Sequence, residues 1–134
     1  MAIVTTRHLA TLATKATGKP CKVEIGHDLP NNVAGLATHD GAQYVILIHP
    51  IDLAMRDVKQ VAHTFWHECG HIACGHVPES KATITRAMLE IEVTERQADS
   101  GGAHVIRERQ ADEWAAKVRA VIPDSEVWDL ITAG

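Results

Sequence analysis

The chain predicts an α+β fold: a small sheet followed by amphipathic helices. Three observations carry that prediction. Two short apolar runs flank the turn signal Asp40-Gly41, a hairpin pattern. From about residue 57 the hydrophobic period lengthens from two to 3.6. The length of 134 residues is that of one ordinary domain, so residues 1–134 are read as a single unit.

The elements follow in order. Residues 5–16 place Leu9, Leu12, Ala13 and Ala16 at helical spacing, and Gly18-Lys19-Pro20 ends the run. Residues 21–25 form a short strand, and 28–32 a loop rich in Asp, Pro and Asn. Strands are expected at 33–38 and 43–48, with Pro50 stopping the second. Residues 57–75 read as a helix with Val58, Val61, Ala62, Phe65, Cys69, Ile72 and Ala73 as its buried stripe. A second amphipathic helix is expected over 81–98, interrupted by Gly101-Gly102, and a third over 104–121. Pro123 breaks the chain, and Asp124 or Ser125 can cap a last helix through Ile131.

Aromatic residues make up only 4% of the chain, so aliphatic residues and alanine must fill the core and helices must approach closely. The formal net charge is −4, with no Lys/Arg cluster, which argues against direct nucleic-acid binding. The longest apolar run, residues 44–48, is far short of the roughly 20 residues of a membrane span. The N-terminus carries no apolar secretory run. Cys21, Cys69 and Cys74 are odd in number and form no C-x-x-C pair, as expected of reduced thiols. These features together predict a cytoplasmic chain with no membrane association; they leave its oligomeric state open.

Nine histidines are present, and four lie between residues 63 and 76. Among them is His67-Glu68-Cys69-Gly70-His71, an H-E-x-x-H motif. Residues four apart share a helical face, so both imidazoles can address one ion, for which zinc is the expected cofactor. Glu68 sits about 100° around the helix, beside the metal rather than on it. There it can act as general base toward a water that zinc has acidified to a pKa of roughly 7. Chance placement of two histidines and a glutamate on a plain helix is the competing reading. The motif's position on an amphipathic helix just after a hairpin favours chemistry.

A catalytic zinc usually takes three protein ligands and leaves one position open. Cys74, Gly75 and His76 occupy the seventh to ninth positions after His67, one residue out of register with a metzincin. If the helix persisted, His76 would point about 180° away from His67, so it reads as a helix-end residue. Glu-Arg-Gln-Ala-Asp occurs twice, at 95–99 and 108–112. In the second copy Glu108 and Asp112 share a face, so Glu108 can ligate while Asp112 orients an imidazole. Ala111 and Ala115, with Gly70 and Ala73 on the motif helix, are small enough to let the two helices meet. The first copy runs into Ser100-Gly101-Gly102, so Glu108 is favoured and Glu95 kept as the rival. His63 and His104 read as surface histidines that could also line a groove. Cys74 is expected to pack, and Cys69 to face the core.

The chain resembles the ImmA/IrrE family of small zinc peptidases. The resemblance rests on residues 35–41 and 44–48 as the hairpin, 61–71 as the zinc helix, Glu108, Ala111, Asp112, Trp114, Ala115 and Ala116 as the E-x-x-A-[ND]-x-F-A-A segment, and Ile122-Pro123 as the closing step. Trp114 stands where the family has Phe. The gap from His71 to Glu108 is longer than the family's, whose spacing falls nearer Glu95. The resemblance implies a zincin-like domain with His67, His71 and Glu108 as metal ligands and Glu68 as catalytic base. It further implies cleavage of one specific protein substrate, such as a helix-turn-helix repressor encoded by a phage or mobile element. Two alternatives are a catalytically silent zinc module acting by protein contact and a zinc hydrolase for a non-peptide bond. The intact Glu68 weighs against the silent module.

Overall fold

A computed structural model describes residues 6–78 and 102–132. Helix α1 (Arg7–Thr17) leads into strand β1 (Cys21–Ile25), then β2 (Gly35–His39) and β3 (Tyr44–Ile48). Helices α2 (Pro50–Ala54), α3 (Val58–Ala73), α4 (Gly102–Arg119) and α5 (Asp124–Thr132) follow. The architecture is α+β, as the sequence predicts. The expected helix over 81–98 lies outside the described residues.

The three strands lie in the order β1-β3-β2. β2 and β3 form the expected antiparallel hairpin, with Ala37 opposite Ile46, while β1 runs parallel to β3, with Val23 opposite Ile46. Asp40 closes the turn by accepting from the backbone N–H of Ala42 and Gln43 at 2.9 and 3.0 Å. β2 starts at Gly35 rather than at 33, because the Val33 N–H bonds back to the Pro30 carbonyl at 3.0 Å and stays in the loop. That loop covers the outer sheet face, where Leu29 and Val33 pack on Leu36, Val45 and Leu47. Central strand β3 is therefore buried on both faces.

The inner face, Val23, Ala37, Ile46 and Ile48, packs with α3 and with Leu9 and Ala13 of α1. Val127 and Ile131 of α5 and Ala115 of α4 close the core from the other side of α3. Fully burying side chains such as Phe65, Ile46 or Ile131 stabilises the fold by about 1.5–3 kcal/mol each. The predicted stripe of α3 is buried at Val61, Ala62, Phe65, Cys69 and Ile72, whereas Val58 and Ala73 are half-buried. Thr64, Trp66, Glu68, Gly70 and His71 are buried as well, because α3 is enclosed on several sides rather than on one. Among the described residues no helix is long and apolar enough to cross a membrane.

The ends of α3 are set by specific groups. Asp57 caps the start, its carboxylate accepting from Gln60 N–H at 3.1 Å. At the far end Lys19 Nζ donates to the Ile72 carbonyl at 3.0 Å, satisfying one of the last-turn acceptors.

Candidate metal centre

His67 and His71 project from the same side of α3, and their Nε2 atoms lie 3.1 Å apart. Glu108 reaches them from α4: Oε2 is 2.7 Å from His67 Nε2 and Oε1 is 3.2 Å from His71 Nε2. One ligand atom from each of these three residues falls within 4.8 Å of the others. Two imidazoles and a carboxylate on a tetrahedral ion, at bond lengths near 2.0–2.1 Å, stand about 3.3 Å from one another. The donor set and its spacing fit a metal ion. The second of the two repeated segments is brought to the motif; Glu95 lies outside the described residues.

Each motif histidine is held from behind. Asp112, one turn beyond Glu108, places Oδ1 2.6 Å from His67 Nδ1. His67 therefore carries its proton on Nδ1 when Nε2 binds a metal, a common outer arrangement for a ligand histidine. Behind His71 stands His76, Nδ1 to Nδ1 at 3.0 Å. Its own Nε2 is 2.8 Å from Gln110 Oε1.

The place of His76 corrects the expectation that it would point away from the motif. The helix stops at Ala73, and Gly75 takes φ +76°, the left-handed conformation that glycine adopts without strain. His76 N–H then bonds the His71 carbonyl at 2.8 Å and Gly75 N–H bonds the Ile72 carbonyl at 3.1 Å. This is a Schellman motif, and it folds His76 back onto His71. Gly75, just past the last helical residue, was the signal for it in the sequence.

Charge is concentrated between the two helices. Burial alone would depress His67, but the Glu108 carboxylate, with Glu68 and Asp112 nearby, overrides it and the imidazole is pushed up to about 9. Hydrogen bonds from His67 and His71 hold Glu108 well below the usual carboxylate range. Without a metal, the two form an ion pair. His76 is shifted below its ordinary value, chiefly by burial.

Glu68 is only 6% exposed, and it lies under the start of β2. A Cβ at Gly35 would stand 3.3 Å from Glu68 Cγ and 2.5 Å from Thr64 Cγ2, so glycine is what lets strand and helix meet here. In the order β1-β3-β2 the strand β2 is hydrogen-bonded to β3. An open groove of about 600 Å³ runs along α4, lined by Val105, Glu108, Arg109, Asp112, Glu113 and Ala116. Both carboxylates of the cluster are thus reachable from solvent.

Other candidates fall elsewhere. Cys69 is in the core as expected. Cys74 is exposed at the C-cap of α3 rather than packed, its Sγ 3.9 Å from the Gln110 carbonyl. His63 stacks on His67 with ring centroids 5.9 Å apart, and its Nδ1 is 3.3 Å from Arg119 Nη1. Of His104 only the helical backbone is described. No family model, curated protein or solved structure matches this chain.

Proposed function

We propose that this chain is a zinc-dependent endopeptidase of the ImmA/IrrE kind, acting in the cytoplasm on one specific protein substrate, a DNA-binding repressor. One observation carries the reading: Glu108 joins His67 and His71 at a single point, with Glu68 of the same motif buried on the adjoining face of α3. A zinc ion held there would supply Lewis acidity toward a water and a scissile carbonyl.

The chain's own residues supply the rest. Asp112 and His76 hold the two imidazoles with Nε2 facing inward. The Glu68 carboxylate takes the proton lost by the attacking water and returns it to the leaving amine. Burial of that carboxylate at the donor cluster favours a hydrolase over a module that works by contact alone, which has no use for a base.

Glu68→Gln tests this. The variant keeps size and hydrogen bonding but cannot accept a proton at neutral pH. It should fold, bind zinc, bind the substrate protein and cut it 10²–10⁴-fold more slowly. Cleavage at the wild-type rate would end the proposal.

A further inference from the structure

The two motif histidines are backed differently. His67 leans on a carboxylate, Asp112. His71 leans on a neutral chain, His71 Nδ1 to His76 Nδ1 at 3.0 Å and His76 Nε2 to Gln110 Oε1 at 2.8 Å. The proton placement of that chain follows from its far end. If Gln110 Oε1 faces the ring it can only accept, so His76 carries its proton on Nε2. His76 Nδ1 is then a bare acceptor, and His71 must donate from Nδ1. That leaves His71 Nε2, which faces Glu108 at 3.2 Å, as the nitrogen that offers its lone pair once a metal replaces that hydrogen bond.

We propose that His76 and Gln110 are positioning residues that fix His71 in its metal-binding tautomer, an inference that rests on the metal reading above. The relay also joins the two ligand-bearing elements a second time. Gln110 is on α4, between Glu108 and Asp112, and His76 belongs to the turn that ends α3. The same helix–helix approach that delivers Glu108 to the ion therefore delivers the acceptor that orients His71. The backbone of the turn does not need the imidazole, since its two hydrogen bonds run from the N–H groups of Gly75 and His76. Side-chain substitution at 76 leaves that motif available.

The test is zinc affinity, measured by competition with a chromophoric chelator, on wild type, His76→Leu, His76→Asn and Gln110→Leu. Loss of an outer partner of this kind typically costs 10–100-fold in metal affinity. His76→Leu should show that loss, and Gln110→Leu a smaller one in the same direction. His76→Asn puts an amide oxygen near the place of Nδ1 and should recover most of the affinity. Nitrogen-15 spectra of the side chains should show His71 protonated at Nδ1 in wild type and a tautomer mixture in His76→Leu. Wild-type affinity in His76→Leu overturns the inference while leaving the metal reading intact, as does equal weakness of the Leu and Asn variants. A wild type that takes up no zinc overturns both. If His76→Leu fails to fold, Gln110→Leu decides: unchanged affinity in it overturns the relay.

Discussion

A Cβ added at Gly70 would lie 2.6 Å from the carbonyl oxygen of Ala111 and 3.0 Å from its Cα. Backbone meets backbone there, in the last turn of α3 and three residues beyond Glu108 on α4. This contact sets how far Glu108 must reach, and a carboxylate on two methylenes reaches only from close by.

Gly70→Val should therefore push α4 away and separate Glu108 from the histidines. Overpacking of this kind costs about 1–3 kcal/mol of stability. Zinc affinity should fall by at least tenfold beyond what the stability loss accounts for. Thermal unfolding and a zinc titration on the same variant check it; full affinity with a lowered melting point would show that the approach is not what places Glu108.

Replacing Asp112 by Ala removes the carboxylate 2.6 Å behind His67. The expected result is a 10–100-fold weaker metal site with an intact fold, since Asp112 is exposed on α4. Chelator competition would read it directly, and an unchanged dissociation constant would exclude an orienting role for Asp112.

The metal-free protein should show a distinct pH dependence. His67 titrates at about 9 in the fold, above its ordinary 6.5. A raised folded pKa stabilises fully below the unfolded value, and that contribution disappears as pH rises from 6.5 through about 9. Metal binding requires the neutral imidazole, so uptake at pH 7 expels a proton. Apparent zinc affinity should climb about tenfold per pH unit through this window and then level off. Calorimetry in buffers of different ionisation enthalpy measures the protons released; affinity flat between pH 6.5 and 8.5 would contradict the His67–Glu108 pairing.

How much of this was legible in the sequence depends on how local the cause is. Strand β1 and the hairpin were readable because apolar runs, Asp40-Gly41 and Pro50 all act within a few residues. The meeting of Glu108 with the motif histidines is readable because Gly70 and Ala111 announce a close approach. Helix α2 is not among the expected elements: Pro50 reads as a stop, whereas it is the first helical residue, capped by His49 Nδ1 accepting from Ile51 N–H at 3.1 Å. A proline at the first helical position was the available sign. The parallel pairing of β1 with β3 leaves no local signature, since it depends on where the chain returns. The expected helix over 57–75 runs two residues beyond its end at Ala73, and at 100° per residue that difference puts His76 on the opposite face.

The claim at the centre is that His67, His71 and Glu108 bind one ion together. Zinc titration of the metal-free chain and of Glu108→Ala and Glu95→Ala tests it most directly. The predicted result is about one zinc per chain for wild type, a large loss of affinity for Glu108→Ala, and little change for Glu95→Ala. A wild type that takes up no stoichiometric zinc, or a loss confined to Glu95→Ala, would contradict it.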